Sequence, residues 1–451
     1  MSAKEMSTLE AMIDALRIEM RRDPSVIYLG EGTGERGGTY GNTLGLYAEF
    51  GSERMIDTPI SELGFTGACI GAAANGCRPI VDLMFMDFAA DAMTQIVNQA
   101  AKLRYMSNGQ ISVPMVVWAG VGAIKSAGPH HSGCLYPWFM HVPGLKVVIP
   151  SNPADMKGLL AAAIRDDDPV VFCAHKRLFP MRGQVPEGEY LVPLGKAALL
   201  REGRDASIVV TGWLTYTALQ AAEILAGEGI DIEVLDLRSL VPMDVDALVA
   251  TAARTGRVLV LDEAYGTCGV GAEVTALLNE HAFQHLRAPV LRLHTAGVAH
   301  PFSPTFEPAV LPQLEGVLEK VRLLLDGGIT HTSAGSGGRG RSAQVVAPST
   351  VVASGSGAST PKPAPPTAAS RNRIPILIPN QGLTVEEARI VRWIVAEGAE
   401  VREGEPLFEI ETDKVVVEVN AEESGTIIEI LEREDTTLPL GVRVAWMRPA
   451  G

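Results

Sequence analysis

Up to about residue 325, short apolar runs alternate with stretches in which apolar residues recur every three to four positions. The short runs predict β-strands at 26–29, 79–83, 114–118, 145–149, 206–210, 232–235 and 257–261. The longer stretches predict helices at 7–22, 90–106, 153–164, 215–228 and 244–254. Strand–helix alternation of this kind is typical of parallel α/β sheets.

The polar stretch 183–190 interrupts this alternation. We therefore predict two α/β domains, one over residues 5–185 and the other over residues 192–325. Further along, residues 408–419 place two alternating apolar stretches on either side of a tight acidic turn. This is the pattern of a β-hairpin with Lys414 at its tip. A hairpin whose tip carries an ordinary exposed lysine, without a functional role, has the same pattern.

A change of composition separates the α/β pattern from the hairpin. Between Leu325 and Leu377 the chain has no Leu, Phe, Trp or Tyr, and between Asp326 and Glu386 it has no acidic residue. The segment is rich first in Gly and Ser and then in Ala and Pro, so it cannot bury enough apolar surface to offset its ordering entropy. We predict a flexible linker over residues 327–373, which tethers a small domain over residues 374–449.

Composition narrows the choice of partners and compartment. The 451 residues are 47% hydrophobic and 20% charged, with a formal net charge of −15. An acidic surface argues against nucleic acid or an anionic membrane as the main partner, although it also serves solubility. Five scattered cysteines without a Cys-x-x-Cys pair fit a reducing compartment. Because the chain has neither an apolar signal region nor a long uninterrupted apolar run, we expect a cytoplasmic protein without a membrane span.

A Gly-x-Gly-x-x-Gly sequence follows the first predicted strand, at Gly32, Gly34 and Gly37, with Asp57 about 20 residues further on. This combination is typical of dinucleotide-binding proteins when the glycines open a helix. Here the next residues, 38–43, are rich in Gly, Thr and Asn and predict a loop. The sequence therefore argues against dinucleotide binding.

A second loop ends in a carboxylate at Glu62, where a helix is expected to begin. The residues after it are small, with four of them Gly or Ala between 64 and 71 and three more alanines at 72–74. Small residues allow a ligand or another backbone to approach closely. Glu62 is thus a candidate site residue, although a carboxylate at a helix start also has a purely structural role through the helix dipole.

Ordered motifs extend this picture over the whole span from about Met6 to Leu325. They include Asp57-Thr-Pro-Ile-Ser-Glu62, Gln95-Ile-Val-Asn98, Arg104-Tyr-Met106, His131-Ser132, Pro143-Gly-Leu-Lys-Val-Val148, Pro193-Leu-Gly-Lys196, Asp236-Leu-Arg238 and Asp262-Glu263-Ala264. The span resembles the β subunit of the thiamin-diphosphate-dependent 2-oxoacid dehydrogenases. These subunits belong to the decarboxylase component of pyruvate, branched-chain and acetoin dehydrogenase complexes. The resemblance implies two transketolase-like domains with parallel sheets.

The C-terminal segment, 374–449, resembles a lipoyl domain along its length. The resemblance rests on Ile378-Pro379, Ile390-Val391-Arg392-Trp393, Val401-Arg402-Glu403-Gly404-Glu405 and Gly425-Thr426-Ile427. Biotin domains share this all-β barrel-sandwich hybrid fold but carry Met-Lys-Met at the hairpin. Because Asp413 and Val415 flank Lys414 here, the resemblance implies a lipoyl group on Lys414.

The first resemblance also implies roles for individual residues. Glu62 would bond a ring nitrogen of the aminopyrimidine of thiamin diphosphate and help to switch its tautomer. Phe88 would pack on that ring, and Glu31 is a second acidic candidate beside the cofactor. His131 would donate to developing charge or relay a proton when the acyl group passes to lipoamide. Phe88 as a core residue, Glu31 as a solvated carboxylate and His131 as a structural loop residue are the alternatives.

The resemblance also implies an ion site. A monovalent cation, usually potassium, would be bound largely through main-chain oxygens of Met115, Ala163, Ile164, Asp166 and Asp168, although the last two also fit a charged turn.

The sequence departs from the family pattern at three positions. The usual His-Ser-Gln is His131-Ser132-Gly133 here, Trp118 replaces a common Arg, and Ala174 replaces a common Glu. These three changes leave the substrate in doubt.

Two motifs are absent. The Gly-Asp-Gly motif that binds diphosphate and magnesium in this family does not occur, so an α subunit is expected to supply those ligands in an α2β2 heterotetramer. The acyltransferase signature His-x-x-x-Asp-Gly is absent too. The expected activity is oxidative decarboxylation of a small 2-oxo compound with reductive acylation of a lipoyl group on Lys414. A dihydrolipoyl acyltransferase core and a dihydrolipoyl dehydrogenase would be further partners. A transketolase-type transferase subunit and a non-catalytic lipoyl carrier or assembly protein stay open as alternatives.

Overall fold

The computed structural model of the chain describes residues 2–327, 373–379, 387–411, 416–439 and 441–450. By its contacts the chain separates into two units, Met1–Thr332 and Ser333–Gly451. Most of the predicted linker, 328–372, and Lys414 lie outside the described residues. Within the described ranges, no helix has the length and apolar character that a membrane span requires.

The N-terminal half of the first unit contains a mostly parallel sheet with helices on its faces. The strands of this half are β1 (Ala3–Ser7), β2 (Val26–Gly30), β3 (Met55–Asp57), β4 (Arg78–Phe85), β5 (Val116–Val121), β6 (Lys146–Val148), β7 (Val170–His175) and β8 (Arg182–Pro186). Of these, β1 and β8 pair only with each other, in a separate two-stranded antiparallel sheet. Its α-helices are α1 (Thr8–Arg22), α2 (Leu46–Phe50), α3 (Glu62–Ala74), α4 (Ala101–Met106), α5 (Pro137–Met140) and α6 (Pro153–Arg165). Two 3₁₀-helices, Met86–Ala90 and Lys176–Leu178, and a π-helix, Thr94–Ala100, complete this half.

The C-terminal half of the first unit contains a second, mostly parallel sheet. The strands of this half are β9 (Ala198–Arg201), β10 (Ala206–Val210), β11 (Ile232–Asp236), β12 (Ser239–Val241), β13 (Val258–Tyr265) and β14 (Leu291–Thr295). Of these, β9 pairs antiparallel with β11, and β12 joins the first sheet instead. Its helices are α7 (Leu214–Gly227), α8 (Val245–Thr255), α9 (Val270–Ala282), the 3₁₀-helix Phe283–His285, α10 (Glu307–Val310) and α11 (Leu314–Leu325).

The order of the strands links these two halves. The larger sheet runs β12-β6-β7-β5-β4-β2-β3, and the smaller one runs β14-β13-β10-β11-β9. Strand β12 follows β11 in the chain but pairs antiparallel with β6 of the larger sheet. A core cluster also contains residues from both sheets, such as Val117 and Val260. These contacts join the two halves into one unit. The predicted domain boundary, between residues 185 and 192, therefore stays a prediction.

The central strands consist of apolar runs because their residues are buried. All residues of β5, β7, β10 and β11 are buried, as expected for strands covered by helices on both faces. Helix α1 begins with a capping box, in which Ser7 and Glu10 satisfy each other's backbone N–H groups. It then buries Met12, Leu16 and Met20 in a core that includes residues of α6.

The predicted strands and the parallel sheets are confirmed, and one helix differs. A single helix was expected over 90–106, but the chain leaves a 3₁₀-helix at Ala90 and forms a π-helix from Thr94 before α4 starts at Ala101. The glycine motif after β2 opens a loop, as its residues indicate, and helix α2 starts only at Leu46. Asp57 accepts a hydrogen bond of 2.9 Å from the backbone N–H of Gly34, so it stabilises this loop.

The second unit is all β in its described residues. Its strands are β15 (Ile374–Leu377), β16 (Glu387–Trp393), β17 (Glu400–Val401), β18 (Pro406–Glu411), β19 (Val416–Asn420), β20 (Gly425–Ile430), β21 (Thr437–Pro439) and β22 (Arg443–Pro449). They form two four-stranded sheets, β15-β22-β20-β17 and β19-β18-β16-β21. Strands β18 and β19 pair antiparallel up to Glu411 and Val416, on either side of residues 412–415. The predicted hairpin flanks are therefore confirmed.

Candidate functional site

The carboxyl ends of neighbouring parallel strands gather the candidate residues at one edge of the larger sheet. Glu31 follows β2, Glu62 begins the helix after β3, and Phe88 lies in the 3₁₀-helix after β4. His131 lies in the loop after β5, and Lys176 follows β7 directly. In open α/β sheets this edge is where ligands bind. The fold therefore brings together four predicted residues and one that the sequence did not single out.

Two carboxyl groups, those of Glu31 and Glu62, define the first part of the site. Glu62 is the first residue of α3, and only 8% of it is exposed. One carboxylate oxygen of Glu31, Oε1, is buried and has no hydrogen-bond partner among the described residues. Burial raises the pKa of Glu31, and the negative charges of Glu62 and Asp82 raise it further. A carboxyl in such surroundings readily holds or shares a proton.

A buried polar network lies next to this carboxyl pair. The carboxylate of Asp82, on β4, accepts hydrogen bonds from the Tyr28 hydroxyl at 2.8 Å, the Asn42 amide at 2.9 Å and the backbone N–H of Met84 at 2.8 Å. Burial raises the pKa of Asp82 to about 6, although these hydrogen bonds lower it. An added Cβ on Gly30 would approach Asp82 closely, so the network requires a small residue before Glu31.

Three rings form an aromatic surface at the same edge of the sheet. The His131 ring lies with its centroid 4.6 Å from that of Phe85 and 5.6 Å from that of Phe88. The two phenylalanine rings are 5.4 Å apart. All three contacts are edge-to-face, the arrangement that aromatic quadrupoles favour. Phe85 is buried and Phe88 is half-buried, so Phe88 offers a partly open apolar face.

A buried lysine supports this aromatic surface. The ammonium of Lys176 lies 4.9 Å from the centroid of the Phe85 ring and donates a hydrogen bond to the main-chain oxygen of His131. Burial lowers the pKa of Lys176 to about 8. Burial also lowers the pKa of His131, and the charge of Lys176 lowers it further, whereas Asp87 raises it. The imidazole is therefore biased towards its neutral form.

Sequence reasoning missed Lys176 and Asp87. The signal for Lys176 is a charged residue directly after the fully buried strand β7. Asp87 precedes Phe88, and its carboxylate accepts a hydrogen bond of 3.1 Å from the backbone N–H of Gly133. A Cβ on Gly133 would approach the Asp87 carboxylate to 2.5 Å. No side chain can be accommodated at that distance, so the contact with Asp87 requires glycine at position 133.

The other two departures from the family pattern lie in the core. Trp118 is fully buried, and its ring stacks against Phe179 at 6.4 Å and meets Tyr40 edge-on at 6.1 Å. Ala174 is also fully buried and belongs to the same core cluster. A large aromatic residue and a small one thus share this core without an ion pair, and neither side chain reaches the aromatic surface directly.

The residues predicted to bind potassium lie around the turn between α6 and β7. The main-chain oxygen of Met115 accepts a hydrogen bond from Val170, which places the start of β5 beside this turn. The Arg78 guanidinium donates to the main-chain oxygens of Ile164, at 3.1 Å, and Asp166, at 2.9 Å. A carbonyl oxygen has two lone pairs. The turn can therefore still offer oxygen ligands to a monovalent cation.

Comparisons with known families agree with this architecture. Residues 4–182 match the pyrimidine binding domain of transketolase, and residues 195–317 match the transketolase C-terminal domain. Residues 374–447 match a domain described as that of biotin-requiring enzymes. Among solved structures, a split-gene transketolase described as an inactive β4 tetramer aligns with 71% of this chain and 99% of its own, at 24% identity and a TM-score of 0.60. That likeness shows the fold.

Curated relatives identify the family more narrowly. The β subunit of acetoin:2,6-dichlorophenolindophenol oxidoreductase from Cupriavidus necator is 46% identical over 336 residues, which cover 72% of this chain and 99% of that protein. The β-2 subunit of the mitochondrial pyruvate dehydrogenase E1 component from Oryza sativa subsp. japonica is 43% identical, covering 71% and 86%. The 2-oxoisovalerate dehydrogenase β subunit from Bacillus subtilis is 43% identical, covering 67% and 93%. The chain therefore belongs to the family of E1 β subunits, the thiamin-diphosphate-dependent decarboxylase components of 2-oxoacid dehydrogenase complexes, and carries a lipoyl-type domain in addition.

Proposed function

We propose that Glu62, Glu31 and Phe88 hold the pyrimidine half of thiamin diphosphate. The observation that carries this proposal is the pairing of buried Glu62 with half-buried Glu31, because Oε1 of Glu31 is buried without a partner among the described residues and the pKa of Glu31 is raised. When bound, the cofactor supplies the electron sink that lets a 2-oxo compound lose carbon dioxide. Glu62 holds a proton at a ring nitrogen, and Phe88 offers the ring an apolar face.

His131 serves the later transfer step in this proposal. Its ring is half-buried beside Phe88, and its pKa is lowered by burial and by Lys176, so it is available as a neutral proton acceptor or donor near neutral pH. In the transfer, the substrate-derived group that remains after decarboxylation gives up two electrons and becomes an acyl group, bound as a thioester to one lipoyl sulfur. Those two electrons break the lipoyl disulfide bond, and the second sulfur gains a proton. His131 positions or supplies that proton.

A second subunit completes the site. Beside Glu62, Ile60 is 84% exposed and Leu63 is 48% exposed. Exposed apolar residues at the border of a polar site are typical of a subunit interface. The chain lacks a Gly-Asp-Gly motif. We therefore propose an α2β2 heterotetramer in which the α subunit supplies the ligands for diphosphate and magnesium.

Lys414 is the proposed attachment site of lipoate. It lies between the paired ends of β18 and β19, at Glu411 and Val416, and outside the described residues. The arm would accept an acyl group from the decarboxylase and pass it to a dihydrolipoyl acyltransferase core, and a dihydrolipoyl dehydrogenase would reoxidise it. The substrate is a small 2-oxo compound or acyloin, the class named in the similar proteins.

Two lesser proposals concern an ion and the compartment. We propose that potassium binds largely through main-chain oxygens of Met115, Ala163, Ile164, Asp166 and Asp168. Thermal unfolding in potassium chloride and in choline chloride at equal ionic strength tests this proposal, because a ligand of the folded state raises its stability. We also propose a cytoplasmic location, and the five free cysteines are compatible with it. Fractionation of the native host tests the second proposal.

The decisive experiment compares the full chain alone and with its cognate α subunit. Alone, the chain should bind thiamin diphosphate weakly even with magnesium and should be inactive. With the α subunit, at least one of pyruvate, acetoin and 2-oxoisovalerate should be turned over with an artificial electron acceptor. Tight magnesium-dependent binding by the chain alone would refute the shared site. Ketol transfer between sugars would favour a transketolase-type transferase, and inactivity of the assembled complex would favour a carrier.

A further inference from the structure

Lys176 is a buried charge for which the proposed chemistry has no use. It is only 2% exposed and belongs to the short 3₁₀-helix after β7. Removing an ammonium from water is costly unless the group gains partners. The partner given by the hydrogen bonding is the main-chain oxygen of His131, which lies in a different loop, 45 residues earlier in the chain.

The position of Lys176 also determines what supports His131. The ammonium lies over the face of Phe85, at 4.9 Å, and the edge-to-face partner of that same ring is His131, at 4.6 Å. Phe88 contacts both Phe85 and His131. Lys176, Phe85, Phe88 and His131 thus form one packed group. In this group the lysine holds the backbone of His131, and the aromatic rings hold its imidazole.

We propose that Lys176 is a positioning residue for His131, because its ammonium fixes the main chain of the loop that presents the imidazole at the aromatic surface. The proposal rests on the proposed role of His131 in acyl transfer. A loop fastened at the backbone of its functional residue keeps that side chain within the narrow range of positions that group transfer needs. Without the ammonium, the main-chain oxygen of His131 would lose its buried donor, and the loop could shift away from Phe85.

The charges that face this group come from several elements. Asp87 follows β4, Cys134 lies after His131, Glu263 is on β13, and Glu307 begins α10, and each raises the pKa of Lys176 against the effect of burial. His131 itself faces Lys176, Asp87 and His130. Four acidic or thiol groups thus favour the ammonium form, in which Lys176 can donate to His131.

The test uses Lys176→Met and Lys176→Arg in the full chain, with Lys157→Met as the matched control. Lys157 is also 2% exposed, but it bonds Asp14 and the main chain of Pro186 away from the site. Three quantities are measured: the titration of His131 by NMR of ¹³C-labelled histidine, turnover with an artificial acceptor, and acyl transfer to the lipoyl domain. The last two use the complex with the α subunit, and the His131 signal is assigned by its loss in His131→Asn.

The expected result separates positioning from general stability. Lys176→Met should raise the pKa of His131 and slow acyl transfer by about tenfold or more, since a small misplacement of a functional group costs that much or more. Turnover with the artificial acceptor should fall several-fold less than acyl transfer does, and Lys176→Arg should retain most acyl transfer. Lys157→Met should leave the His131 titration unchanged.

Other outcomes decide against one proposal or the other. An unchanged His131 titration in Lys176→Met, or a parallel fall of both activities in Lys176→Met and Lys157→Met, would overturn the positioning role. If Lys176→Met shifts the titration while His131→Asn transfers acyl groups normally, the positioning contact stands and the proposed role of His131 fails. If Lys176→Met does not fold, an unchanged His131 titration and normal transfer in Lys176→Gln would overturn the inference.

Discussion

Nε2 of His175, at the end of β7, lies 2.9 Å from Oε2 of Glu263, on β13 of the second sheet. The other carboxylate oxygen of Glu263 accepts a hydrogen bond of 2.7 Å from the backbone N–H of Ala123. Both side chains are buried, and the contact joins the two sheets of the first unit. Burial raises the pKa of Glu263, but the attraction and hydrogen bonds of His175 and Ala123 outweigh it and lower the value to about 2.

Replacement of Glu263 by alanine should therefore destabilise the first unit strongly. The change leaves His175 and the N–H of Ala123 buried without their partner, which typically costs about 3–5 kcal/mol. The free energy of unfolding, measured by urea titration at pH 7, checks this expectation. Glu319→Ala is the control, because Glu319 is exposed on α11. Equal stability of the two variants would contradict a supporting role for the contact.

The same contact predicts a pH dependence of stability. The folded-state pKa of Glu263, about 2, lies below its ordinary value of 4.5. Its contribution is therefore fully present above about pH 5 and is lost as the pH falls through this window. The difference in stability between wild type and Glu263→Ala should shrink as the pH is lowered from 5 towards 2. A difference that stays constant over this range would show that the carboxylate charge is not what stabilises the contact.

Glu62→Gln should abolish turnover while the chain stays folded. An amide cannot hold and release the proton that a carboxyl shares with a ring nitrogen, and acid–base help of this kind is worth about a hundredfold or more. Decarboxylation is measured in the complex with the α subunit, using an artificial electron acceptor. Glu315→Gln, in the first turn of α11 and exposed, is the matched control. Near-normal activity of Glu62→Gln would refute the assignment.

Glu31→Gln should stabilise the chain at neutral pH. The folded-state pKa of Glu31 is raised, first by burial and then by Glu62 and Asp82, so ionisation of its carboxyl disfavours the folded state. Its protonated form stabilises the fold below the unfolded pKa, and this contribution is lost as the pH rises through the folded pKa. The thermal midpoint of the variant should exceed that of wild type by about 1–3 °C at pH 7 and match it at pH 4.

The control for this prediction lies in the same loop. Glu35 is exposed, and Glu35→Gln should leave the midpoint unchanged at both pH values. A Glu31→Gln variant that is less stable than wild type at pH 7 would mean that the carboxylate makes favourable contacts in the folded chain. Such a result would remove the basis for proton sharing with Glu62.

Much of the site could be predicted because the fold follows from a regular pattern. Once Glu31, Glu62, Phe88 and His131 are placed after parallel strands, strand order alone brings them to one edge. The contact of Lys176 with the main chain of His131 could not be predicted, since it depends on the path of the loop after β5. The irregular helix at 94–106 was missed for a related reason: its periodicity does not distinguish a π-helical start from an α-helix.

The surroundings of the three residues that depart from the family pattern could not be predicted from the sequence either. Their residue types suggest altered substrate contacts, but the structure buries Trp118 and Ala174 in the core and leaves Gly133 beside Asp87. Which substitutions touch a site depends on the face of the strand that each residue occupies. For Trp118 on β5 and Ala174 on β7 that face is the one covered by α1 and α6.

Lys414→Arg should separate the two parts of the activity. Arginine keeps the positive charge between β18 and β19, but its guanidinium cannot form the lipoyl amide. Decarboxylation with an artificial acceptor depends on Glu62 and the α subunit, so it should persist within about twofold, whereas acyl transfer to this chain should disappear. A tethered arm is present at high effective concentration, so free lipoamide should replace it poorly.

Intact-mass spectrometry checks the attachment directly. Wild type from a host supplied with lipoate should carry one lipoyl group, and Lys414→Arg should carry none. Lys4→Arg is the control, because that exposed lysine on β1 lies outside the lipoyl-type domain, and it should be modified like wild type. A lipoyl group on another lysine, or undiminished acylation of Lys414→Arg, would overturn the assignment. Loss of both activities in Lys414→Arg would show instead that the arm is required for decarboxylation itself.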